Sequence, residues 1–161
     1  MGQDNRNLIV EELISLIEKG NAHASFEDVI DGIPLDLLTV IPENLPYGIW
    51  GLVEHIRITQ RDILKFCKEP GHVSPKWPEE YWPDTQAEVT REQWEDTLRN
   101  IRKDREEFFE LLRDENTSLY TPFSYGDGQS IFREALLIAD HNSYHMGEII
   151  VVRRLLDDWK A

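Results

Sequence analysis

A single cysteine, Cys67, stands in 161 residues, so the chain can close no internal disulfide, which suits a reducing compartment. Positive charge is scarce as well. Seventeen Lys and Arg face 31 Asp and Glu, a formal net charge of -14. A phosphate backbone is held by clustered basic side chains that displace its counterions, so nucleic acid is not an expected partner, nor is an anionic membrane surface. Long apolar runs are missing too: nothing approaches the roughly 20 residues a membrane span needs. Asn5, Arg6 and Asn7 precede only a short amphipathic run, which is no secretory pattern. Arg6 also stands where a myristoylation motif after Met1-Gly2 wants Ser or Thr. Asn116-Thr117-Ser118 matches a glycosylation sequon, but carries no weight without secretion. These absences predict a soluble cytoplasmic protein. A length of 161 residues with 40% hydrophobic residues predicts one domain over 1–161 with one packed core.

What the sequence has in quantity is helical periodicity, and no stretch alternates like a strand. A first helix is expected from about Asp4, as N-cap, to Lys19, with Leu8, Leu13, Leu16 and Ile17 inward and Gly20 as its stop. A shorter helix is expected over 22–30, then a turn or two from Pro34 through Leu38, before Pro42 and Pro46 force an irregular stretch. A second long helix should run from about Tyr47 to Lys68, its inner side built of Ile49, Leu52, Val53, Ile56, Ile63, Leu64 and Phe66. Residues 70–89, with Trp77-Pro78 and Tyr81-Trp82-Pro83, read as a crossover pinned by its aromatics. Thr90 and Gln93 form a capping box for a third helix ending near Arg113, with Trp94, Leu98, Ile101, Phe108 and Leu112 apolar. After a loop over 122–128, Ser130 can cap a last helix from Ile131 to about Trp159. The expected fold is all-α, a four-helix bundle with long crossover loops.

The inner stripe of the last helix reads Ile131, Ala135, Ile138, then His141 and His145, then Ile149, Val152 and Leu156. Two imidazoles four residues apart lie one turn apart on one face, the spacing that lets both bind one ion. The spacing alone is weak, since five histidines produce it by accident in roughly one chain in ten. Its inward placement adds weight. A buried imidazole without a partner costs about 1–3 kcal/mol, so an ion, or a facing acid or backbone group, must satisfy it. His55 on the second helix is the third candidate. It follows Gly48 and Gly51 at helical spacing. Helical glycines cost roughly 1 kcal/mol each, so they mark either room for a ligand or close helix packing. His23 and His72, on a short helix and in a Pro/Gly loop, are expected to be plain surface residues.

His55 in Leu-Val-Glu-His-Ile-Arg, followed by Arg61-Asp62-Ile63-Leu64, resembles the second-helix motif of the DinB/YfiT-like superfamily. Asp140-His141-Asn142-Ser143-Tyr144-His145-Met146-Gly147-Glu148-Ile149 resembles that superfamily's last-helix motif. The resemblance covers nearly the whole chain. It implies a four-helix bundle with a three-histidine metal site, whose ligands map onto His55, His141 and His145. It also implies a homodimer and a small-molecule substrate. Characterised members resemble transferases and isomerases that use a low-molecular-weight thiol, such as bacillithiol, mycothiol or glutathione, and others are taken for metal-dependent hydrolases.

Three neutral imidazoles suit Zn²⁺, Ni²⁺ or another late first-row ion and leave a coordination position open for water or a thiol. Asn142 stands where a His-Glu-x-x-His motif would place a general base, so a carboxylate must come from elsewhere. Glu148 lies seven residues after His141 and Asp62 seven after His55, so each falls on its histidine's face. Either could orient a ligand or accept a proton, although charges so placed on a helix are more often ordinary solvated or salt-bridged ones. Tyr144 and Arg57 could line the pocket, though both types also decorate helix surfaces. The expected function is a metal-dependent thiol transferase or hydrolase. The alternatives are a non-catalytic metal-binding or stress-associated protein, and a purely structural bundle with hydrogen-bonded histidines.

Overall fold

The structure, a computed structural model, describes residues 3–84 and 88–159. Among them every regular element is helical: α1 (Gln3–Lys19), α2 (Phe26–Ile30), α3 (Ile49–Lys68), α4 (Arg91–Arg113) and α5 (Ile131–Leu155), with one 3₁₀ turn at Leu35–Leu37. Met1 and Gly2, where a myristoylation motif would begin, lie outside the described residues. Helix α3 packs along both α4 and α5, and α1 closes against α5 and α4. No described helix is long and apolar enough to cross a membrane.

Local chemistry sets the boundaries. Thr90 and Gln93 form the expected capping box of α4, and Ser130 caps α5. The short helix starts later than its sequence suggested, because Ser25 and Asp28 make a reciprocal capping box just before Phe26. Helix α3 starts at Ile49, two residues later than expected. Gly48 is its N-cap, and the Trp50 amide donates across the preceding loop to the Leu38 carbonyl at 2.8 Å. The last helix stops at Leu155 instead of Trp159. Asp157 takes a left-handed conformation (φ 58°), and the Asp158 amide donates back to the Arg153 carbonyl. The buried Arg153 guanidinium then holds Asp158, the Val29 carbonyl and the Trp159 ring, which fastens the end of the chain to α2.

The apolar residues gather in two clusters. One joins α2, the first half of α3, the start of α4 and the second half of α5. The other joins α1, the ends of α3 and α4, and the first half of α5. Between them along α3, α4 and α5 falls a band of polar side chains. There Thr97 donates to Glu54 (2.6 Å), Gln60 to the Ile101 carbonyl (2.8 Å) and Arg61 to Asp104 (2.8 Å). Burial raises the Asp104 carboxyl above its ordinary range. Leu8 was expected in the core but is 60% exposed, because Val10, Leu13 and Ile17 define the buried face of α1. Arg6 fastens that helix instead, donating to three carbonyls, those of Leu112, Asp114 and Thr117, at the end of α4.

Candidate metal centre

His55, His141 and His145 sit in the polar band, where α3 faces α5. Ligand-type atoms of the three rings all lie within 4.8 Å of one another. Their helices place them there: His141 and His145 are one turn apart on the buried stripe of α5, and His55 faces them from α3. His55 and His145 are buried and His141 half-buried. Ring centroids are 4.9 Å apart for His55 and His141, 4.6 Å for His55 and His145, and 4.4 Å for His141 and His145.

Two of the three tautomers are fixed by their partners. Nδ1–H of His55 donates to the Tyr81 carbonyl at 2.7 Å, and a carbonyl can only accept. Nδ1–H of His145 donates to Glu148 Oε2 at 2.7 Å. Both rings therefore present an Nε2 lone pair, the arrangement that an acceptor bonded to the other ring nitrogen imposes on metal-binding histidines. His141 Nε2 lies 3.1 Å from His55 Nε2, and its Nδ1 is buried without a partner. Two facing ring nitrogens at that distance need a positive centre between them, a proton or an ion. Tetrahedral coordination at zinc–nitrogen lengths separates ligand nitrogens by about 3.3 Å. The donor set and the spacing thus fit a divalent metal ion.

Burial governs the protonation of His141 and His55. It pushes His141 down to about 4, with the neighbouring His145 and His55 adding to the effect. Burial likewise lowers His55, against the opposing Tyr81 carbonyl. A histidine depressed in the folded state stays neutral there while the unfolded chain takes up protons. Its contribution to stability is therefore present above about pH 6.5 and lost as pH falls toward 4. Metal-free protein should show this loss in urea melts between those values. A flat profile across that window would show that the rings titrate normally.

Sequence reasoning missed three residues that complete the surroundings. Trp82 lies flat on His55, centroids 4.1 Å apart and planes within 1°. Tyr81 supplies the carbonyl on Nδ1. Tyr47 donates to Glu148 Oε1 at 2.5 Å, a bond that, with burial, pushes its phenol up to about 12. The run Tyr81-Trp82-Pro83 pointed to an ordered crossover, but nothing in it showed which ring or carbonyl would meet His55. Trp77, expected to pin the same segment, is 69% exposed, yet its ring lies 5.6 Å from that of Tyr81 and 6.4 Å from that of His55.

The two candidate carboxylates part company. Glu148 touches His145 directly. Asp62 touches the cluster only at one remove: its Oδ1 meets His72 Nε2 at 2.6 Å and its Oδ2 accepts from the Tyr81 hydroxyl at 2.6 Å. His72 is thus no plain surface residue, since this contact half-buries it, whereas His23 is exposed as expected. Tyr144 is largely exposed, with its ring 5.0 Å from that of His145. Arg57 is engaged elsewhere, in a two-pronged pair with Glu54. The glycines divide as well. A Cβ on Gly48 would lie 2.6 Å from the Val40 carbonyl, so that glycine serves close packing. A Cβ on Gly51 would meet only the Tyr47 Cβ, at 3.7 Å.

Glu148→Gln keeps the shape but weakens the acceptor that fixes His145. Removing such a partner costs metal affinity about 10–100-fold. Competition against a chromophoric chelator measures it, and unchanged affinity would remove Glu148 from the site.

An all-helical protein in which two helices bring three imidazoles within reach of one ion is the class that fold and geometry define. The chain belongs to the DinB superfamily, whose family model matches residues 21–149, a span that includes all three histidines and Glu148. Neither a search of curated proteins nor one of solved structures found a match.

Proposed function

We propose that this protein is a metal-dependent enzyme, a single-domain four-helix bundle with long crossovers, that joins a small thiol to an electrophilic substrate or hydrolyses such a substrate. The observation that carries the reading is the fixed tautomers of His55 and His145, which aim two lone pairs at the point His141 also faces. Neutral imidazoles suit Zn²⁺ or Ni²⁺, and three protein ligands leave a position open. When bound, the ion supplies Lewis acidity and makes a thiol or water in that position easier to ionise.

The remaining work falls to the chain. Glu148 holds His145 and is assigned as acceptor of the proton that the thiol or water gives up. Tyr47, donating to the other Glu148 oxygen, orients that carboxylate. Trp82 covers one face of His55 and excludes water there. Asp62 is assigned a positioning role: it holds the Tyr81 side chain, and the Tyr81 carbonyl holds His55. A homodimer belongs to the same reading. Leu137, Tyr144 and Val151, seven residues apart on α5, are exposed and support it. A cytoplasmic location is supported by Cys67, a buried free thiol pushed up to about 12 by burial.

Elemental analysis of the purified protein comes first, followed by zinc- and nickel-loaded assays of thiol conjugation and ester hydrolysis. Activity should vanish with a chelator and in His55→Ala. Fully loaded protein inert toward every thiol and ester would favour a non-catalytic metal-binding role, and protein that takes up no metal would leave a structural cluster.

A further inference from the structure

The crossover turns back on α3 as soon as that helix ends. The His72 amide donates to the Glu69 carbonyl at 2.8 Å, and the turn through Pro70 and Gly71 brings the His72 ring against Asp62 of the helix. Nε2–H of His72 donates to Asp62 Oδ1 at 2.6 Å, and the two side chains are only 11% and 12% exposed. The Tyr81 hydroxyl donates to the other oxygen, Oδ2, also at 2.6 Å. A carboxylate only accepts, so both contacts are charge-assisted bonds, and two donors on two oxygens fix the plane of the group. Arg57 and Arg61, which line a cavity together with Asp62 and His72, are turned to Glu54 and Asp104 instead. Asp62 therefore clamps both ends of the segment 72–81 onto α3. The far end of that segment reaches the metal centre. Tyr81 offers its carbonyl to Nδ1–H of His55 at 2.7 Å, and Trp82 beside it lies on the His55 ring.

We propose that His72 is a positioning residue for the metal centre: by orienting Asp62 it holds Tyr81, and through the Tyr81 carbonyl it sets the tautomer and aim of His55. The inference rests on the metal-enzyme reading for its effect on an ion, and on the contacts alone for its effect on His55. Without His72, Asp62 keeps one donor and can rotate, so the Tyr81 hydroxyl loses a fixed acceptor and the Tyr81 backbone loses its anchor. A histidine that merely fastened the loop would stabilise the crossover and leave the His55 bond alone. The two roles part at that bond.

Hydrogen exchange of the imidazole N–H groups, followed by heteronuclear NMR on metal-free protein, reads the bond directly. His72→Ala should speed exchange of the His55 Nδ1–H about fivefold, the protection that one hydrogen bond gives. Nδ1–H of His145, whose acceptor Glu148 lies on its own helix, should keep the parent's rate. The same variant should bind zinc about three- to tenfold more weakly, less than the roughly 10–100-fold cost of losing a ligand's immediate partner. His72→Gln, whose amide N–H can still reach Asp62, should restore both values. Tyr81→Phe cuts the chain of contacts one link further on and keeps the carbonyl. Adding His72→Ala to Tyr81→Phe should therefore cost nothing more, as expected of two residues that act through one contact. Melting curves check that each variant is folded; should His72→Ala fail, His72→Phe, which keeps a ring and removes the donor, takes its place. Unchanged His55 exchange, equal acceleration at His145, or additive losses in the double variant would each overturn the proposal. A parent that binds no zinc would remove the metal reading instead, and the exchange rates would still decide the role of His72.

Discussion

His145→Ala should lower metal affinity more than about a hundredfold, because removing even an outer partner of a ligand costs about 10–100-fold. His145 is one of three donors, and its loss also frees Glu148 from the bond that fixes its position. His23→Ala is the control, since its exposed ring bonds Ala24 and Ser143 rather than the cluster. Metal content after dialysis against a buffered zinc solution reads the difference. Stability should follow occupancy: at a free metal concentration about 1,000 times the dissociation constant, binding adds roughly 4 kcal/mol. For a chain of this size each kcal/mol moves Tm by about 2–4 °C. A chelator should therefore lower the parent's Tm by about 10 °C and leave the Tm of His145→Ala unmoved. Equal metal content in His145→Ala and His23→Ala would end the three-histidine assignment.

Phe108→Ala should be the most destabilising change away from the histidines, by about 3–5 kcal/mol. Phe108 is buried in the cluster formed by α1 with the ends of α3 and α4. Its truncation removes aromatic surface from that packing and leaves a cavity that the surrounding helices can fill only in part. None of the three histidines belongs to this cluster, so the folded fraction should hold metal as tightly as the parent. Leu8→Ala on the exposed side of α1 should change stability by less than about 0.5 kcal/mol. Urea melts of the three proteins decide it. A Phe108→Ala variant as stable as the parent would mean that the α1 side of the molecule is loosely packed.

The helices were legible because their signals are local. The Thr90–Gln93 capping box, Ser130 and the 3.6-residue stripes of α3 to α5 depend on neighbours within a turn or two. Their ends were less so. The stop after Leu155 depends on Arg153 reaching Asp158 and Val29, and the start at Ile49 on a bond from Trp50 to Leu38. Periodicity contains neither contact. The three histidines could be found because they interrupt buried stripes, and Glu148 because it recurs at helical spacing. Tyr47, Tyr81 and Trp82 could not be placed by any period, since they enter from irregular segments whose paths are set by packing. Asp62 shows the limit of spacing arguments: it lies on the same helix face as His55, yet its hydrogen bonds reach outward to His72 and Tyr81.

The face-to-face contact of Trp82 with His55 also gives the protein a built-in optical reporter. Of five tryptophans, this one stacks on a ring of the histidine cluster at 4.1 Å, while Trp77 stands further off at 6.4 Å. An open-shell ion such as Ni²⁺ held by that ring would drain the excited state of the indole, whereas closed-shell Zn²⁺ would leave it bright. Occupancy, and the identity of the ion, could thus be followed by ultraviolet emission in unlabelled protein, with Trp82→Phe as the dark reference.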